Sequence, residues 1–445
     1  MKIYKDEYCS KISFPLGGIG TGSLGLSGAG RFIDWEIFNR PNKLSYNGMS
    51  HFAVKAERNG KNIDTRVLHG PFAGDLSGVP KSFGFGPPRE SMAGMPHFQN
   101  CEFRGEFPFA ELVFSDSEFP GKVILTAFNP FIPLNSKDSS IPAAMFDVRF
   151  ENITDEDIDY SLYLTITNPW KELSINEFSI RDGISLMHLR SCLKSDLLRG
   201  DICIATDSKV TSYQENWFRG SWFDGLGVYW RELNNAAKLK VRSYGMVSDA
   251  TLPGGITDVT FNAVLAAHLK CRAGQSVNTR ISISWNVPFC HNYWDDRLNQ
   301  EELDALKLEN KWRNYYATQW RDSIASAVYV FKNWQRLHSD TKKFADALYN
   351  TTIPEVFIEA VGANLSVLKS PTCLRLEDGS FYAFEGCTAD SGCCEGSCSH
   401  VWNYAYALPF LFPDLERSMR EFEYKYNLRK SGEIPMRLML PLGRH

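Results

Sequence analysis

The feature that most constrains this chain is a change of hydrophobic period part-way along it. Up to about Pro288, apolar and polar residues alternate in short runs. Val123-Ile-Leu-Thr-Ala127 alternates, and in Phe146-Asp-Val-Arg-Phe150 the side chains of Phe146, Val148 and Phe150 share one face. Leu162-Tyr-Leu-Thr-Ile166 and Ile281-Ser-Ile-Ser-Trp285 repeat the pattern. Turn-like clusters separate the runs: Phe128-Asn-Pro130, Asn168-Pro-Trp170 and Leu252-Pro-Gly-Gly255. Many short strands with few helical stretches between them predict a large antiparallel β-sandwich.

From about Leu298 the period lengthens. Leu303 and Leu306, then Trp312, Tyr316 and Trp320, and then Ile324, Val328 and Phe331 recur at helical spacing. Thr352 reads as an N-cap with Pro354 in the first turn of a helix that carries Phe357, Val361, Leu365 and Leu368. A β-like interlude spans Thr372 to Phe384 around the turn Glu377-Asp-Gly-Ser380. Helical pattern returns over His400–Phe412 and again from Asp414 to Tyr426, and the tail Glu433–Gly443 is extended and apolar. The expected organisation is a sandwich domain over 1–295, a helical linker over 296–350 and a separate helical unit over 351–445.

Several function classes are disfavoured at once. The net charge of −4 is small and spread out, with no basic stripe to follow a nucleic-acid backbone. No run of 18 apolar residues offers a membrane span, and the first residues lack the apolar core of a signal peptide. Eleven cysteines, an odd number, read as reduced thiols of a cytoplasmic protein rather than a disulfide framework. Gly20-Thr-Gly22-Ser-Leu-Gly25 matches a dinucleotide fingerprint, but no buried parallel strand precedes it and Ser27-Gly-Ala-Gly30 stops any helix. A tight strand-turn-strand fits better.

Two clusters carry candidate chemistry. Cys387, Cys393, Cys394, Cys398 and His400 lie within fourteen residues. Zinc sites usually draw two ligand pairs separated by a loop, so packing of small thiols in a Gly-rich loop is the preferred reading and zinc the alternative. Among the nearby carboxylates, Glu385 stands apart. It follows the strand-like run Ser380-Phe-Tyr-Ala-Phe384, where a carboxylate among aromatics could attack an anomeric carbon; a solvated surface glutamate is the other reading.

Taken together, several segments resemble glycoside hydrolase family 116, which contains non-lysosomal glucosylceramidases and bacterial β-glucosidases and β-xylosidases. The segments are Phe14-Pro-Leu-Gly-Gly-Ile-Gly-Thr-Gly-Ser23, Asp34-Trp-Glu-Ile-Phe-Asn-Arg40, Asp138-Ser-Ser-Ile-Pro142 and Trp222-Phe-Asp-Gly-Leu-Gly-Val-Tyr-Trp230. Phe381-Tyr-Ala-Phe-Glu-Gly386, Cys398-Ser-His-Val-Trp-Asn-Tyr404 and Phe410-Leu-Phe-Pro-Asp-Leu-Glu-Arg-Ser-Met419 complete the set. The resemblance implies an antiparallel β-sandwich followed by an (α/α)6 barrel, here incomplete. It implies a retaining mechanism on a β-linked sugar, with Glu385 as nucleophile, and it calls for no cofactor. The family's acid/base Asp is expected beyond His445, so this chain alone is expected to be inactive.

Where glucosylceramidase-like members carry Tyr-Asp-Val-His-Phe-Tyr, this sequence reads Ser399-His-Val-Trp-Asn-Tyr404. His400 thus stands in for a sugar-binding Asp. His400 and Trp402 are the expected substrate-binding residues, and a soluble β-glycoside is the expected substrate. A non-catalytic carbohydrate-binding or scaffold protein built on the sandwich is the competing reading.

Overall fold

A computed structural model describes residues 2–74, 86–171, 174–192, 199–220, 224–235, 238–245, 261–293, 300–307, 309–394, 397–398, 401 and 404–440. The alternating runs become strands. A nine-stranded sheet runs in the order Ile3–Lys5, Asn100–Glu106, Phe109–Ser115, Lys122–Phe128, Ala143–Glu151, Ser276–Asn286, Asp201–Thr206, Ile184–Ser191 and Ser174–Arg181. A five-stranded sheet runs Thr211–Gln214, Asn262–Cys271, Ile158–Thr167, His51–Arg58 and Lys61–Val67. Every described pairing in the two sheets is antiparallel.

Alternation decides which face packs where. Phe146, Val148 and Phe150 point between the sheets and meet Phe52, Val54, Leu162, Leu164 and Leu265 in one apolar core. The Phe146 ring lies 5.2 Å from Phe52 and 5.9 Å from Phe32. The intervening Met145, with Phe128, Leu186 and Ala205, faces the opposite way and is covered by a helix. That helix, Ser323–Tyr349, begins where Asp322 accepts a hydrogen bond from Ala325 N. It buries Ile324, Ala327, Val330, Phe331, Trp334 and Leu337 along one face against the nine-stranded sheet. Helix Asp224–Asn235 covers the other sheet with Tyr229 and Leu233. The central strands of both sheets are therefore buried on both faces, which explains the near-continuous apolar character of strands such as Ile158–Thr167.

The glycine-rich run forms the bend between strands Ser13–Leu16 and Leu24–Ser27 of a small three-stranded sheet. Residues 16–26 are all buried, so no phosphate can reach them. The run is wedged instead. Ile19 N donates to Ser139 O at 2.8 Å, and Trp285 Nε1 donates to Thr21 O at 2.9 Å.

The helical expectation needs correction in three places. Trp312 lies in a short strand, Lys311–Arg313, paired with Phe289–His291, because Asn314 breaks the run before helix Tyr315–Gln319. Helix Glu355–Leu365 is entered through Pro354, with no side-chain cap from Thr352. Over His400–Phe412 only Leu408–Leu411 is α-helical among the described residues. Leu438 and Leu440 of the tail are buried, although Phe410 is 78% exposed. Helices Glu355–Leu365, Leu408–Leu411 and Pro413–Phe422 do not close a ring among the described residues. No helix there is long and apolar enough to cross a membrane.

Candidate active site

The β-like interlude is a hairpin, Cys373–Arg375 paired with Phe381–Ala383 and extended by Phe384 N to Thr372 O at 2.9 Å. Its two faces have separate tasks. Phe381 and Ala383 join the main core, while Leu374, Tyr382 and Phe384 pack with Phe422, Leu438 and Leu440. Burial on both faces leaves the hairpin one orientation, and Glu385 emerges half-buried at its end.

The loop over residues 129–140 fixes this hairpin to the sandwich. Arg375 donates to Ser136 O and Ser140 Oγ, each at 3.0 Å, and stacks on Tyr315 with its guanidinium 3.6 Å from the ring centre. Lys369, wholly buried, donates to Asn129 Oδ1 at 2.6 Å, Pro130 O at 2.7 Å and Ser139 O at 3.0 Å. Burial pushes its amine well below the usual lysine range. Asp138 accepts from Tyr329 at 2.8 Å and Arg336 at 2.7 Å, which ties the long helix to the same loop. One short segment thus clamps sandwich, helix and hairpin.

Past Glu385 the chain turns back. Gly386–Cys387 pairs with Gly392–Cys393, and Lys43 N donates to Ala389 O at 2.8 Å. That bond ties the loop to the chain just past the Asp34–Arg40 segment. There Glu36, 1% exposed, receives Lys43 Nζ at 3.0 Å and Asn42 N at 3.1 Å. Burial raises the Glu36 carboxyl against the pull of Lys43. A cleft of about 450 Å³ beside it is lined by Ser23, Asp34, Glu36, Lys43, Asn364 and Ser370 among others.

The Glu385 carboxylate stands close to the Cys394 thiol and interacts with that of Cys398. The neighbouring Glu385 carboxylate pushes Cys394 up to about 11, and burial does the same for Cys398. Strand pairing sets Arg437 opposite Cys398, and its guanidinium interacts electrostatically with both thiols and with Glu385. Cys387 faces elsewhere, bonded to Thr372 Oγ1 at 3.4 Å. The arrangement is a half-buried carboxylate with soft donors on it and a cation close by. His400 and Trp402, the expected substrate-binding residues, lie outside the described residues. Arg437 was not singled out by the sequence; a lone cation inside the apolar tail is the signal that marks it.

Residues 13–337 match the family model described as beta-glucosidase 2, glycosyl-hydrolase family 116 N-term. The chain belongs to glycoside hydrolase family 116. Its matched region takes in both sheets, apart from strand Ile3–Lys5, and the first half of the long helix. Solved structures with a looser likeness include a protein described as a kojibiose phosphorylase from human microbiome, at TM-score 0.34 and 10% identity over 82% of this chain and 40% of that one. A family GH92 α-mannosidase from Bacteroides thetaiotaomicron gives TM-score 0.30 and 11% identity over 83% of this chain and 40% of its own. A polysaccharide lyase gives 0.26 and 10%, over 66% and 34%. At these scores they are likenesses only, and this chain spans at most 40% of the length of each.

Proposed function

We propose that this family 116 chain is part of a retaining β-glycosidase acting on a soluble β-glucoside or β-xyloside. Glu385 serves as the nucleophile. The family match over residues 13–337 carries this reading. The placement of Glu385 supports it: the carboxylate stands at the end of a hairpin buried on both faces and bonded to the sandwich through Arg375. A nucleophile must meet the anomeric carbon in one fixed geometry, and a rigid hairpin end supplies that.

The chemistry needs two carboxyl groups. Glu385 attacks the anomeric carbon as the aglycone leaves, and the second carboxyl protonates the departing oxygen. Water, deprotonated by that same second group, then releases the sugar with its β configuration kept. In retaining enzymes the two carboxyls stand about 5 to 5.5 Å apart. A chain without that second group would turn over no alkyl glycoside, because the leaving oxygen would depart unprotonated.

The test uses the enzyme with its complete catalytic domain and an aryl β-glucoside or β-xyloside, with the first-formed anomer read by NMR. The β anomer appearing first supports retention. The α anomer first would show inversion and remove the nucleophile role. Tight sugar binding without turnover would favour the carbohydrate-binding reading instead.

A further inference from the structure

The cysteines after Glu385 do not behave as packing thiols. Cys393 is exposed and Cys394 half-buried, and neither joins an apolar cluster. They converge instead. Their sulfurs lie 3.9 Å apart, and with a Glu385 carboxylate oxygen they form a triad whose atoms all lie within 4.8 Å of one another. Cys398, buried, interacts with the same carboxylate from outside this triad.

Consecutive residues of an extended chain point to opposite sides. For Cys393 and Cys394 to share a side, the backbone must turn sharply between them. Cys394 does so at φ 59°, a left-handed conformation that non-glycine residues seldom adopt and that costs about 1–2 kcal/mol per residue. Such strain persists where the surroundings hold it, and it is concentrated at ligand sites. A tetrahedral ion with metal–sulfur bonds of about 2.3 Å sets its sulfurs ~3.8 Å apart, close to the spacing of this pair. Two thiolates and a carboxylate around a divalent ion would leave a net negative charge. Arg437, across the strand pair from Cys398, is placed to offset part of it.

We propose that Glu385, Cys393 and Cys394 form a site for a thiophilic divalent ion of the Zn²⁺ class, and that occupancy withdraws Glu385 from attack on sugar. The second half rests on the nucleophile reading; the first does not. The ion would be bound by the carboxylate lone pair that the glycosylation step needs, so a filled site and a reactive nucleophile exclude each other.

The experiment is a titration of reduced, chelator-treated residues 1–445 with Co²⁺ and then Zn²⁺. One Co²⁺ per chain is expected, with a thiolate-to-cobalt charge-transfer band that Zn²⁺ abolishes. Cys394→Ser and Cys393→Ser should each weaken binding at least tenfold, Glu385→Gln should weaken it while the charge-transfer band remains, and Cys192→Ala should leave it unchanged. Absence of the charge-transfer band, or binding in the Cys393→Ser and Cys394→Ser variants as tight as in the unaltered chain, would overturn the site. In the complete enzyme, Zn²⁺ at site-filling concentrations should stop turnover and a chelator should restore it. Full turnover with the ion bound would overturn the coupling to Glu385 and leave the metal site standing.

Discussion

Replacing Gly20 by alanine tests how the sandwich holds the hairpin that carries Glu385. Gly20 has φ +71°, and an added Cβ would sit 2.5 Å from Arg375 Cβ and 2.7 Å from Arg375 N. Neither atom can swing away. Arg375 is pinned by Ser136, Ser140 and Gly379 and stacked on Tyr315. The left-handed backbone costs about 1–2 kcal/mol for a residue with a side chain. Forcing a methyl into a filled seam adds about 1–3 kcal/mol. The stiffer unfolded chain returns about 0.4–1 kcal/mol, so the expected loss is roughly 2–4 kcal/mol. Gly60 is the internal control. It has nearly the same φ, +72°, but nothing within 4 Å of its added Cβ, so Gly60→Ala should lose only the backbone part. Urea denaturation followed by tryptophan fluorescence gives the difference, and limited proteolysis should find the 373–383 hairpin more open in Gly20→Ala alone. Equal stability of the two variants would refute the close approach of Gly20 to Arg375.

Other perturbations have equally definite outcomes. Phe146→Ala empties a site between Phe32 and Phe52 and should cost about 3–5 kcal/mol by denaturant titration; a loss under ~1 kcal/mol would mean that the ring is not packed there. Lys369→Met leaves Asn129, Pro130 and Ser139 acceptors without their donor and should cost ~2 kcal/mol or more, an outcome that unchanged stability would contradict. Burial depresses His51 and His268 from 6.5 to about 4. The unfolded chain therefore takes up these protons first on acidification. Their stabilisation is complete above pH 6.5 and is lost as pH falls from there toward 4, by up to ~3 kcal/mol each. The melting temperature should be level near pH 7–8 and fall below pH 6.5, less steeply in His268→Asn; equal slopes would rule out His268 as a source.

The strands were legible because each buries a face, and burial writes a period of two into the sequence. Phe146, Val148 and Phe150 share the inter-sheet core as their spacing predicts. The helical part was harder to read. Trp312, Tyr316 and Trp320 recur every four residues, yet Trp312 belongs to a strand: its indole packs beside the hairpin cluster rather than along a helix face. Spacing alone cannot tell a helix stripe from aromatics gathered by tertiary contact. The glycine-rich run shows the same limit from the other side. Its composition suits a phosphate loop, and only the approach of Arg375 and Ser139 shows why small residues are required. At the site, Glu385 was marked by its motif. The convergence of Cys393 and Cys394 depends on one left-handed residue, and the approach of Arg437 depends on a strand pair formed across some forty residues of chain. Neither leaves a local pattern.

The most direct measurement of the central claim is covalent trapping. The enzyme with its complete catalytic domain is incubated with a 2-deoxy-2-fluoro-β-glucoside or β-xyloside carrying a good leaving group, then digested and sequenced by mass spectrometry. The fluorine slows both steps, and the leaving group keeps the first faster than the second, so the glycosyl-enzyme accumulates. The account predicts one fluorosugar per chain, in ester linkage to Glu385 in the peptide that contains Phe384 and Gly386. Label on Glu377 or on another carboxylate, with Glu385 unmodified, would contradict it.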